Sequence, residues 1–203
     1  MIRLTTRSLA FALAFPPVVG ISAVARAAPV AVDVRGADGK PLLGAIVSVE
    51  SPRIGGAPVR GPYAVEQRDI AFQPRMLIVP VGASVTFPNR DRVRHHVYSF
   101  SSPKKFDLKL YGREDTRSVV FDKPGVVALG CNIHDSMSGI VYVTATPFAE
   151  QVDGSGHARF DGVPAGAVTI RVWHPSIRSR DNSLAQSVTV PAAGFATTVS
   201  IAR

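Results

Sequence analysis

Cys131, His134 and Met137 fall within one seven-residue stretch, Cys131-Asn132-Ile133-His134-Asp135-Ser136-Met137. A thiolate, an imidazole and a thioether so close together are the soft donors that copper prefers, and a trigonal site of two His and one Cys with a weak axial Met holds copper for one-electron transfer. A second imidazole is needed to complete such a set. The pair His95-His96 offers one, 36 residues before the cysteine and at the head of the apolar, strand-like run Val97-Tyr98-Ser99-Phe100. Neighbouring side chains on a strand point to opposite faces, so only one of the pair can turn inward while the other meets solvent or the surroundings of the site.

Taken singly, Cys131 also reads as an inert buried thiol and Met137 as a filler of core gaps. Ligation accounts for both together with His134. Zinc could use the Cys and His but gains little from a thioether. Asn132, Asp135 and Ser136 lie between the donors, where backbone and side-chain groups can fix the loop and tune the sulfur. His157 and His174 are remote in sequence and receive no role. Catalysis on a substrate is not expected: there is no local nucleophile motif, no paired-carboxylate motif and no Gly-rich phosphate loop.

The elements that must position these donors are strands. With 17 Gly, 16 Pro and no long window of apolar residues at helical spacing, the 203 residues point to an all-β chain with almost no helix. Residues 30–35 alternate as a half-buried strand, and residues 45–50 form a second candidate. Residues 51–62 are a Pro, Gly and Arg stretch that reads as a linker. Further strands are expected over 64–67, 75–79 and 81–89, with Pro80 and Gly82 in the turn between the last two. Others are expected over 106–111, 118–121 and 139–143. The uninterrupted apolar run 126–129 reads as a strand buried on both faces that delivers Cys131 to its loop.

Residues 1–27 read as an export signal. Arg3 and Arg7 give a positive start, residues 8–25 are mostly apolar, and Ala25-Arg26-Ala27 has the small-x-small pattern of a cleavage site. Pro16-Pro17 interrupt the apolar stretch, and no later run is long enough to span a bilayer. A periplasmic protein beginning at Ala28, with no stable membrane span, is therefore expected. In an oxidising compartment two thiols would pair, and Cys131 has no partner in the chain.

The formal charge of +8 falls to +5 when Arg3, Arg7 and Arg26 are removed with the signal. Arg90, Arg92, Arg94, Lys104, Lys105, Lys109 and Arg113, set against Asp91 and Asp107, carry a net +5 by themselves. Such a cluster is either a solvated face or a surface that steers an acidic redox partner. Nucleic acid is not an expected partner of an exported protein.

The run Val81-Gly82-x-x-Val85-x-Phe87-x-Asn89, the pair His95-x-Val97, the turn Phe121-x-x-Pro124-Gly125 and the loop Cys131-x-x-His134-x-x-Met137 together resemble the cupredoxins, the small copper-binding β-sandwiches of the plastocyanin and amicyanin kind. The resemblance covers about half of the mature chain. It implies a Greek-key β-sandwich over 61–145, one type 1 copper ion held by His95, Cys131, His134 and Met137, and electron transfer between redox proteins. Its bearing on His95 rather than His96 adds to the strand argument. Three positions depart from the family pattern: His96 replaces an Asn, Gly130 replaces the Tyr that plastocyanin uses as a relay, and Ile133 replaces a Pro. No aromatic relay is expected at 130. Two other readings of the same donors are a periplasmic Cu(I) carrier and a structural cupredoxin-like module without a redox role.

The stretches 38–45, 153–160 and 163–172 resemble a carboxypeptidase-regulatory-like domain, a small transthyretin-like sandwich. Residues 28–52 together with 146–203 would form it, with the copper unit inserted. The other arrangement is a separate C-terminal sandwich that follows the copper unit.

Overall fold

A computed structural model describes residues 27–201; the expected signal, apart from Ala27, lies outside them. Among the described residues there is no α-helix, and therefore none long and apolar enough to cross a membrane. In chain order the strands are β1 (Ala27–Arg35), β2 (Ile46–Glu50), β3 (Tyr63–Ala64), β4 (Glu66–Arg68), β5 (Ala71–Gln73), β6 (Met76–Pro80), β7 (Ala83–Pro88), β8 (His95–Ser99) and β9 (Phe106–Tyr111). They continue as β10 (Thr116–Phe121), β11 (Gly125–Cys131), β12 (Ser138–Thr144), β13 (Ala149–Gln151), β14 (His157–Pro164), β15 (Gly166–Trp173), β16 (Ser183–Val190) and β17 (Phe195–Ser200).

Two sandwiches are built from these strands. The central one faces the sheet β10-β7-β3 against the five-stranded sheet β6-β12-β11-β8-β9, with β4 and β5 as a small hairpin beside them. Its core holds Phe72, Phe87, Tyr111 and Phe121 together with Val85, Val97, Val127, Leu129 and Val141. The flanking sandwich faces β14-β1-β17 against β13-β2-β15-β16, so strands from before and after the central unit share its sheets. Strand β1 shows why: its burial alternates along its length, placing Val30, Val32 and Val34 inside between β14 and β17. A third cluster joins the two sandwiches, with Ile46 and Trp173 from the flanking sheet meeting Tyr142, Ile78, Val126 and Ile140 of the central one.

That junction corrects the reading of the apolar run before the cysteine. β11 is not buried on both faces: Val127, Leu129 and Cys131 point into the core, while Val126 packs at the junction and Ala128 is exposed. A run of apolar residues without alternation therefore arises here from a second, smaller contact on the outer face. The junction also explains β2, where Val47 and Val49 face the flanking core and Ile46 faces the central unit. The short strands β5 and β13 carry no sequence signal of their own, being three residues each. At the turn between β6 and β7, Gly82 takes a φ of 88° and donates its N–H to Phe121 O at 2.7 Å, a conformation that costs a glycine little.

Candidate metal centre

The register of two neighbouring strands brings the donors together. β11 pairs with β8 through Gly130 opposite Tyr98 and Cys131 opposite Val97. Residues directly opposite share a face, and so do residues two apart on one strand, so Cys131, Val97 and His95 all point into the core. His95 is fully buried and Cys131 is 5% exposed. His134 reaches back from the loop after β11 and is half-buried. Cys131 Sγ lies 4.0 Å from His95 Nδ1 and 4.0 Å from His134 Nδ1, and the three donor atoms lie within 4.8 Å of one another. Cys131 is a free thiol.

These spacings suit one shared ion. Nitrogen and sulfur about 2.0 and 2.3 Å from a common metal stand about 3.7 Å apart at a trigonal angle. The donor chemistry of one thiolate and two imidazoles fits copper. Met137 is 2% exposed in the same core cluster as Cys131, and its N–H donates to His134 O at 2.9 Å, which closes the loop over the donors. Among the described residues the side chains of Asn132, Asp135 and Ser136 make no hydrogen bond, and the backbone contact of Met137 closes the loop.

The pair His95-His96 divides between the two faces of β8. His95 Nδ1 faces the cysteine, while its Nε2 meets Asp91 Oδ2 at 2.8 Å. Burial raises the Asp91 carboxyl, but the amide of Ile70, the ring of His95 and the amide of Asp69 outweigh it and hold the group below the usual carboxylate range. His96 turns outward and pairs with Asp107, whose carboxyl is held far below its ordinary range first by Lys109 and then by His96. Asn89 organises the loop between β7 and β8. Its Nδ2 donates to Val93 O at 2.8 Å and to Tyr111 O at 3.3 Å, and its Oδ1 accepts from Asp91 N–H at 2.8 Å.

Reading the sequence by motif passes over Asp91, which enters it only as a charge within the basic stretch. The available signal is its spacing of four residues before His95. Position 130 itself carries no aromatic side chain, but the Tyr98 ring of the neighbouring strand covers Gly130 on the face of the sheet opposite to Cys131: a Cβ at Gly130 would lie 2.7 Å from that ring. Tyr98 in turn packs against Phe100 at 5.1 Å between centroids, and Phe100 is 78% exposed. His157 and His174 lie in the flanking sandwich and its loops, His157 beside Asp33 at 3.3 Å and His174 against Ser176 at 2.7 Å.

Comparison with known proteins gives the following. No family model matches the chain, and no curated protein matches it. Among solved structures, a copper-containing nitrite reductase from Thermus scotoductus SA-01 is 29% identical with a TM-score of 0.39, covering 41% of this chain and 22% of that one. The chain thus spans under a quarter of that enzyme. A purple cupredoxin from Nitrosopumilus maritimus is 25% identical over 41% of this chain and all of its own, with a TM-score of 0.38. An oxidised amicyanin mutant is 21% identical over 48% of this chain and 99% of its own, with a TM-score of 0.39. Each alignment leaves more than half of this chain unmatched. The chain is thus similar, over less than half of its length, to a copper-containing nitrite reductase, a purple cupredoxin and an amicyanin.

Proposed function

We propose that this chain is an exported, periplasmic copper protein that passes one electron at a time between redox partners, with a single type 1 copper ion held by His95, Cys131, His134 and Met137. The observation that carries the proposal is the convergence of His95 Nδ1, Cys131 Sγ and His134 Nδ1 from segments 36 residues apart into one cluster, buried at His95 and Cys131 and half-buried at His134. Copper bound there supplies a one-electron couple between Cu(II) and Cu(I).

The chain's own part is to hold the donors and keep water away. His95 and Cys131 sit on paired strands within a packed core, so their spacing resists change in either oxidation state. His134, half-buried beside exposed Ile133, is the donor nearest solvent and the natural side for a partner to approach. No chemistry on a substrate is part of the proposal. Residues 61–145 form the copper unit, and residues 28–52 with 146–203 form a transthyretin-like module whose sheets are joined across it.

The partner is proposed to be a redox protein with an acidic surface. The supporting charge is smaller than the sequence count, because Arg90 pairs with Glu66 at 3.0 Å, Lys104 with Asp122 at 2.9 Å and Lys109 with Asp107 at 2.6 Å. Among the described residues Arg92, Arg94, Lys105 and Arg113 have no acidic partner, and Arg92 and Arg94 lie in the loop that leads into His95. Voltammetry of the copper-loaded protein in the presence of a Cu(I) chelator tests the reading. A reversible one-electron wave with copper retained in both states is expected. Transfer of copper to the chelator on reduction would instead identify a carrier.

A further inference from the structure

We infer that Asp91 is a positioning residue that fixes the tautomer of His95, and that the turn Asp69-Ile70 between β4 and β5 holds the Asp91 carboxylate in place for that task. The inference rests on the reading of His95 as a metal ligand. One carboxylate receives three donors: Asp69 N–H at 2.8 Å on Oδ1, Ile70 N–H at 3.0 Å on Oδ2, and His95 Nε2 at 2.8 Å on the same Oδ2.

The turn is built for this contact at a cost. Asp69 and Ile70 both have φ of 56°, in the left-handed region where a β-branched residue is strained. Two successive residues in that conformation aim their amides to the same side and form a concavity for an anion. The sequence has no Gly or Asn at this turn to relieve the strain, so the carboxylate that receives both amides is what compensates it. The other end of Asp91 is fixed as well, since its N–H donates to the buried Asn89.

The consequence falls on the ligand. An ionised carboxylate only accepts hydrogen bonds, so His95 Nε2 must carry the ring proton. The lone pair is then on Nδ1, the atom that faces Cys131 Sγ at 4.0 Å, and full burial of the ring excludes water from reversing the arrangement. His134 differs: it has no such carboxylate among the described residues. One imidazole is therefore set before metal arrives and the other is not.

The test uses metal-free protein. Nitrogen-15 NMR of the full mature chain should show His95 protonated at Nε2. In Asp91→Asn, whose amide can donate to Nε2, the population should move to the Nδ1-protonated form, and copper affinity should fall about 10- to 100-fold. Because Asp91→Asn also loosens the turn, the same change is made on an Ile70→Gly background, which relieves the left-handed strain. There folding should recover while the tautomer shift and the loss of affinity remain. A wild-type His95 protonated at Nδ1, or a tautomer unchanged by Asp91→Asn, overturns the inference. Unchanged copper affinity in His95→Ala overturns the ligand reading by itself, while the tautomer result still decides what Asp91 does.

Discussion

The flanking and central sandwiches bury cores of similar extent with different residues. The flanking core is valine, alanine and isoleucine with Phe160 as its buried ring, and Ser48 is the buried polar residue among its strands. The central core uses Phe72, Phe87, Tyr111 and Phe121 and encloses Gln67, Asn89 and His95 alongside Cys131 and Met137. Buried polar groups cost stability unless each finds a partner. Most of them do: Gln67 Nε2 donates to Phe87 O at 2.9 Å and to Tyr111 Oη at 2.6 Å, and Tyr111 Oη–H donates to Phe87 O at 2.7 Å. Gln67 Oε1 remains without a partner. The flanking sandwich is organised for packing alone, and the central one gives up packing simplicity around a single cluster of donors. That contrast sets the candidate metal centre in the central sandwich.

The largest effects should come from the two cores. Phe121→Ala should cost about 3–5 kcal/mol and Ile170→Ala about 2–5 kcal/mol, measured by urea unfolding. Only Phe121→Ala should also impair metal uptake. Equal loss of uptake in both would break the separation of the two regions.

Copper should stabilise the central unit by mass action. At one hundred times Kd the gain is about 2.7 kcal/mol, seen as a rise in Tm. His95→Ala should abolish the gain, whereas His96→Ala, on the outer face, should keep it. The reverse result would place the ligand one residue later and turn the strand over.

Tyr111→Phe sharpens the comparison at lower cost. Removing the hydroxyl breaks the bond to Phe87 O and should destabilise by about 1 kcal/mol. Burial pushes the Tyr111 phenol up to about 12 from an ordinary value of 10. The unfolded chain therefore loses this proton first, and stability should fall as pH rises from about 10 to about 12. The fall should be shallower in Tyr111→Phe. An identical pH profile would show that this phenol does not govern the alkaline limit.

The smallest effect should be kinetic. Arg92→Gln with Arg94→Gln should leave the visible spectrum intact and slow reduction of hexacyanoferrate(III) by the Cu(I) protein at low salt, by up to roughly tenfold. Screening shortens to about 10 Å at 0.1 M salt, so the difference should fade there. A rate insensitive to both substitutions would make the basic loop a solvated face.

Much of this contrast is legible in the sequence because it is carried by local patterns. Period-two alternation marks β1 and β7, and the Cys-x-x-His-x-x-Met loop and the His pair mark the donors. What escapes has no local pattern. β5 and β13 are too short to alternate, and the turn at Asp69-Ile70 adopts a left-handed conformation without the Gly or Asn that signals one. The outer face of β11 depends on the junction cluster of Ile46, Tyr142 and Trp173, the last of them forty-seven residues after Val126. The role of Asp91 depends on the fold of β4 and β5, and the placement of the Tyr98 ring on the absence of a side chain at Gly130 on the neighbouring strand.

The central claim is that His95, Cys131, His134 and Met137 form one type 1 copper site. It is tested most directly by titrating the purified mature protein with Cu(II) while recording its visible absorption. One equivalent should give an intense thiolate-to-copper band that Cys131→Ser abolishes, since an alcohol cannot supply the sulfur-to-metal transition. A protein that takes up no copper under oxidising or reducing conditions, or a band that survives Cys131→Ser, would contradict it.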